Sequence, residues 1–166
     1  FYGLDATHPA CREHVTALIR RVVRDYGFKF LKVDFLHAAA LPGRRFDPTA
    51  TRAQALQIAL AAVREGAGDA FVLGCSCPLG AAVGLVDAMR VSADTAPHWT
   101  AFPIPWDKTN LPSGRNMVRN SLVRQAMHRR WWLNNPDCVV LRHLGTERTE
   151  RRKAEGGLSV AALTGE

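Results

Sequence analysis

Short apolar runs alternate with longer segments whose apolar residues recur every three or four positions, and this alternation constrains the fold more than any other feature. Residues 28–35 and 70–75 have the length and β-rich composition of strands. Cys11, Val15, Leu18, Ile19, Val22, Val23 and Tyr26 predict a helix that starts at Pro9 and stops at Gly27. Ala55, Leu56, Ala59, Leu60 and Val63 predict a second, capped by Thr49 or Thr51 and ended by Gly66 and Gly68. A third is expected over 116–130. Residues 1–5 read as the end of a strand, and further strands are expected over 86–90, over 138–142 after an Asn135-Pro136-Asp137 turn, and over 158–163. The continuous apolar character of 28–35 predicts cover on both faces, as in parallel sheets.

Strand–helix alternation implies parallel strands joined by right-handed crossovers. No glycine-rich phosphate loop follows any strand: Gly-Cys-Ser-Cys-Pro at 74–78 is neither a dinucleotide fingerprint nor a P-loop. The notable polar residues (Asp5, Lys32 with Asp34, Cys75, Arg90 with Asp94, and Asp137) fall at or just beyond strand ends, where a βα-barrel keeps its working groups. The expected fold class is therefore α/β, a partial (β/α)8 TIM barrel with outer helices.

The chain has 166 residues, 47% of them apolar and 22% charged, the composition of one globular domain with a proper core. No apolar run approaches the ~18 residues of a membrane span, and residues 1–30 lack a signal-peptide pattern. Cys11, Cys75, Cys77 and Cys138 lack zinc-site spacing and read as reduced thiols of a reducing, cytoplasmic compartment. The net charge of +7 is spread over helix faces with no aromatic ladder or nucleic-acid motif, so neither nucleic acid nor a membrane is expected as a partner.

Lys32 and Asp34 are two apart on one strand and therefore point the same way, toward a barrel interior. An acid and a base flanked by Leu31, Val33 and Phe35 are costly to bury unless paired or used. The plainer reading is a structural ion pair; the functional one is a carboxylate nucleophile kept ionised by a cation. Arg90 and Asp94 stand four apart where a strand meets a loop. Asp94 before Thr95 is either a loop cap or a second catalytic carboxyl, and two carboxyls across a sugar cleft are what glycoside hydrolysis needs.

Five segments together resemble one family: Leu-Asp-Ala-Thr-His-Pro (4–9), Phe-Leu-Lys-Val-Asp-Phe (30–35), Leu-Gly-Cys-Ser-Cys-Pro (73–78), Met-Arg-Val-Ser-Ala-Asp-Thr-Ala-Pro-His-Trp (89–99) and Asn-Asn-Pro-Asp-Cys (134–138). In order and at plausible intervals, they are similar to the α-galactosidases (melibiases) of glycoside hydrolase family 36. The resemblance implies a retaining mechanism, with Asp34 in the nucleophile position, Asp94 in the general acid/base position, and the two carboxyls about 5 to 5.5 Å apart. Lys32 and Arg90 match substrate-contacting cations and Cys75 a sugar-lining cysteine. Asp5 and His8 occupy the family's early rim motif, and Trp99 is placed where an aromatic could face the sugar. The implied substrate is an α-galactoside oligosaccharide, with no metal or organic cofactor. Asn135 departs from the family, which has Asp there, and removes one charge at the rim.

Residues 1–166 are expected to form the central and C-terminal part of a catalytic barrel domain, about strands three to eight of eight, cut at both ends. An open barrel exposes strand edges, so this piece alone is expected to be inactive and aggregation-prone. Three alternatives stand beside hydrolysis: a galactosyl-transferring relative, an α-N-acetylgalactosaminidase, and a catalytically silent carbohydrate- or nucleic-acid-binding α/β domain. A homo-oligomer is an open option for the full-length protein.

Overall fold

Pro9 opens α1 (Pro9–Arg24) because its missing N–H costs nothing in a first turn, and the His8 imidazole caps the helix by accepting from the Ala10 N–H at 3.2 Å. Gly27 takes φ 77° and turns the chain into β1 (Phe30–Val33). Of the two threonines expected at the next helix start, Thr51 is the cap. Its hydroxyl accepts from the Gln54 N–H at 3.2 Å and the Gln54 side chain accepts from the Thr51 N–H at 2.8 Å, a complete capping box for α2 (Arg52–Ala67). Then come β2 (Phe71–Gly74), β3 (Ala88–Arg90), α3 (Gly114–Arg124) and β4 (Leu133–Asn135). This computed structural model describes residues 3–101, 109–138 and 159.

The strands form one parallel sheet in the order β1-β2-β3-β4. Phe30 pairs with Phe71 and Val33 with Gly74; Leu73 pairs with Ala88 and Gly74 with Met89. The chain divides into two compact units, Phe1–Met89 and Arg90–Glu166, so β3 straddles the division.

In the first unit α2 supplies the core: Ala55, Leu56, Leu60, Val63 and Ala67 are buried, as are Val72 and Met89. The α1–α2 contact is set by Gly66. A Cβ there would lie 2.6 Å from the Thr16 carbonyl oxygen, and the Thr16 hydroxyl donates to the Ala62 carbonyl at 3.2 Å. Thr16, not the predicted apolar stripe, is therefore the buried residue of α1, while Leu18 and Tyr26 stay exposed. Close backbone approach covers the small residue at the crossing and leaves large ones straddling it.

β1 also departs from expectation. Leu31 is buried, but Phe30, Lys32 and Phe35 are exposed, so among the described residues only one face is covered. The Phe30 ring instead stacks on Phe71, with centroids 5.5 Å apart.

In the second unit Ser113 caps α3 by accepting from the Asn116 N–H at 3.2 Å, so the helix begins at Gly114, two residues before the predicted start. The helix tightens at Gln125–Met127 and ends there. The chain then enters β4, a strand that sequence reading does not expect ahead of the 135–137 turn. Leu-Asn-Asn lacks an apolar signature, yet Asn134 is buried at no hydrogen-bond cost. Its amide donates to the Arg124 carbonyl at 3.0 Å and accepts from the Trp132 indole at 3.1 Å.

Residues 3–5 form no strand, and residues 1–2 lie outside the described residues. So do 139–142 of the strand expected over 138–142, and all of 158–163 but Ser159, whose backbone is helical. No helix among the described residues is long and apolar enough to cross a membrane.

Candidate active site

β1 ends at Val33, and Asp34 is the first residue past it. Lys32 and Asp34 share a direction, as their spacing requires, with Nζ 3.9 Å from Oδ2. Their side chains are 46% and 37% exposed, so the pair is a solvent-screened contact on an open sheet face rather than a buried bridge.

The Asp34 carboxylate is fixed by the local backbone. Phe35 adopts φ 54°, in the left-handed region, which folds its N–H back onto Asp34 Oδ1 at 2.7 Å. The ends of β1 and β2 are laced together beyond the sheet. Leu36 N–H donates to the Cys75 carbonyl at 3.4 Å and His37 N–H to the Ser76 carbonyl at 2.9 Å, which brings the Cys75 and Ser76 side chains to the carboxylate. Partial burial pulls the Asp34 carboxyl up. The Phe35 N–H, the Ser76 and Cys75 side chains and the Lys32 cation together outweigh it and hold the carboxyl below the usual aspartate range. Asp34 is thus an anion at neutral pH, suited to attack or accept and unsuited to donate a proton.

Cys75 is buried, with its sulfur 3.9 Å from the Ser76 hydroxyl. The Cys77 thiol is pushed up to about 11 by burial and by the neighbouring Cys75. That removes Cys77 as a thiolate nucleophile.

Asp5 holds a loop. Its Oδ1 accepts from the Thr7 N–H at 3.0 Å and hydroxyl at 2.8 Å, and its Oδ2 from the Phe46 N–H at 2.6 Å. Burial raises the Asp5 carboxyl, but these donors and Arg45 leave it lowered overall. The His8 ring packs edge-on against Phe46, with centroids 4.6 Å apart. Asp5 and His8 fasten Phe46, and the Thr7 hydroxyl fastens the Asp47 N–H, to the start of α1.

In the second unit Arg90 carries a side chain only 3% exposed. Its guanidinium reaches Asp94 Oδ1 at 2.7 Å and Asp137 Oδ1 at 2.9 Å. Asp94 itself is 73% exposed, so one carboxylate oxygen is tethered while the group faces solvent. Trp99 is half-buried. Its carbonyl accepts from the Arg115 N–H at 2.9 Å, and its ring lies 3.4 Å from where a Cβ on Gly114 would stand, so it braces the start of α3. Among the described residues no three His, Cys, Asp or Glu side chains converge as a metal site would require.

Two solved structures are similar to this chain over almost all of it. TtGalA, an α-galactosidase from Thermus thermophilus in complex with stachyose, matches 97% of the chain at 31% identity with a TM-score of 0.76. The same protein in complex with p-nitrophenyl α-D-galactopyranoside matches 97% at 31% identity with a TM-score of 0.77. By fold and by sequence the chain resembles part of these α-galactosidases. Its parallel sheet with flanking helices is part of their TIM-barrel fold. The chain spans about a third of the length of those structures, 34% and 32%. No family model matches it.

Two residues, Phe35 and Ser76, escape sequence reading as site components, and Asp137, marked there as a strand-end polar residue, is not paired there with Arg90. Phe35 acts through its backbone, which no side-chain motif reveals. Ser76, with φ 49°, sits in a small polar loop directly after a strand, and that signal was present in Gly-Cys-Ser-Cys. Asp137 could have been sought as the partner an arginine on an apolar strand needs. The Asn135 departure keeps its local contact, since its side-chain oxygen accepts from the Asp137 N–H at 3.1 Å as an aspartate would.

Proposed function

We propose that the protein carrying this chain cleaves terminal α-linked galactose from oligosaccharides with retention of anomeric configuration. The observation that supports it most is Asp34: a solvent-reachable carboxylate just past a strand end, held in its ionised form by neighbouring donors. The bound galactosides of the similar Thermus thermophilus structures support the substrate class.

In this reading Asp34 attacks the anomeric carbon and the bond to the leaving oxygen breaks, giving a galactosyl ester on Oδ. Asp94 donates a proton to that oxygen, then takes one from the water that hydrolyses the ester. Asp94 is suited to exchange protons with water because it is largely exposed and, among the described residues, is held at one oxygen by Arg90. Lys32 offers its ammonium to sugar hydroxyls by charge-assisted hydrogen bonds, and Cys75 lines the galactose beside Asp34. Arg90, held between two carboxylates, orients Asp94 beside its expected role as a sugar-contacting cation. Trp99 offers the exposed part of its ring, and Asp5 keeps the rim loop in place. The reaction as written uses no metal and no organic cofactor.

The test is Asp34→Gly in the full-length protein. Hydrolysis of an aryl α-galactoside should fall by about three orders of magnitude or more. Added azide should restore turnover by entering the vacated space and leaving as the β-galactosyl azide. Hydrolysis unchanged by the substitution would remove Asp34 from the reaction.

A further inference from the structure

We propose that Asp137 is a positioning residue for Asp94, acting through the Arg90 guanidinium; this rests on Asp94 being the general acid/base. Arg90 is the shared member. Two of its terminal nitrogens hold two carboxylates from different loops, Asp94 Oδ1 at 2.7 Å and Asp137 Oδ1 at 2.9 Å. Its Nε is buried with no hydrogen-bond partner among the described residues, so these carboxylates alone orient the fork there.

The two carboxylates are not equivalent. Asp137 is 22% exposed and fixed on every side: its second oxygen accepts from the Thr95 N–H at 2.8 Å, and its own N–H donates to Asn135 at 3.1 Å. Asp94 is exposed and is held through Oδ1 by Arg90. Asp137 thus anchors Asp94 twice, through the guanidinium that grips its side chain and through the backbone of the next residue. A second latch does not involve Asp137, since the Ser92 hydroxyl donates to the Pro136 carbonyl at 2.7 Å. Replacing Asp137 should leave the loops together while freeing the Asp94 carboxyl to wander. Proton transfer suffers most from such loosening, because it needs hydrogen-bond alignment in the transition state.

Leaving-group dependence separates this role from a structural one. A nitrophenyl α-galactoside departs as a stable phenolate and needs little protonation; an α-galactosyl disaccharide departs as an alkoxide and needs it fully. In the full-length protein, Asp137→Asn should lower the ratio of disaccharide to aryl-galactoside kcat/KM by about 10- to 100-fold. Both values come from one preparation, so the ratio is independent of the folded fraction. Arg90→Lys, which keeps the charge but not the two-pronged fork, should move it the same way. Equal losses on both substrates in both variants would overturn the proposal and leave Asp137 as structural support. Asp94→Ala serves as reference: if it leaves the ratio unchanged, the acid/base reading falls, and the positioning role with it.

Discussion

The backbone N–H of Phe35 donates to the Asp34 carboxylate at 2.7 Å, and it can do so because Phe35 takes a left-handed conformation with φ 54°. That conformation costs an L-residue roughly 1–2 kcal/mol, and most for β-branched side chains. Phe35 is 69% exposed, so its ring contributes little packing. Phe35→Ile should therefore destabilise the protein by about 1 kcal/mol or more and slow turnover by misplacing the carboxylate. Phe35→Gly should keep both near wild type. Urea titration beside steady-state kinetics checks the pair; an isoleucine without cost would contradict the reading.

Gly66 should be among the least replaceable residues of α2. Alanine at an ordinary helix position gains about 1 kcal/mol over glycine. Here its Cβ would lie 2.6 Å from a backbone oxygen and 2.8 Å from the Ile19 Cβ, neither of which can move without shifting α1. Gly66→Ala should reverse sign and lose roughly 1–3 kcal/mol. Gly74→Ala should lose less, since the nearest atom is the flexible end of Met89 at 2.8 Å. Equilibrium unfolding of the two variants gives the comparison.

Asp5, Asp34 and Asp87 are each raised by partial burial and lowered further by hydrogen-bond donors and a nearby cation, with a net downward direction. A lowered carboxyl contributes stability that is complete above its unfolded value and disappears as pH falls through its folded one. These contributions should be intact above about pH 5 and be lost progressively as pH falls below about 4 toward the lowered folded values. The stability gap between wild type and Asp5→Asn should shrink as the medium is acidified across that window. A gap independent of pH would show that Asp5 is held by shape and not by charge.

Cys77 and Cys138 should differ in reactivity. Burial, with the neighbouring Cys75, pushes the Cys77 thiol up to about 11, whereas Cys138 is exposed. At about pH 8 the Cys77 thiolate is a minor species, and alkylation follows thiolate and access. Peptide mapping after timed iodoacetamide treatment should find Cys138 modified well before Cys77. The reverse order would mean that the β2 loop opens readily.

The elements with strong local signals were legible in advance: α1 from Pro9, α2 from the Thr51–Gln54 pair, and β1 and β2 from their apolar runs. β4 was not, because Asn134 and Asn135 look like turn residues until Trp132, Arg124 and Val91 are seen to satisfy them. The cover predicted for both faces of β1 was read from hydropathy, which cannot tell a face packed by this chain from one left open. Within the candidate site, the spacing of Lys32 and Asp34 did fix their common direction. The hold of Phe35 on Asp34 and of Asp137 on Arg90 depends on a dihedral angle and on a contact 47 residues apart, 137 against 90. Neither leaves a periodic trace.

The most direct test is to quench the full-length protein during turnover of a slow fluorinated α-galactosyl fluoride and map the modified peptide by mass spectrometry. The mass of one fluorogalactosyl group should be found on Asp34, within the segment Leu31-Lys32-Val33-Asp34-Phe35. The same label on another residue, or hydrolysis with no covalent adduct, would contradict the assignment of Asp34 as nucleophile.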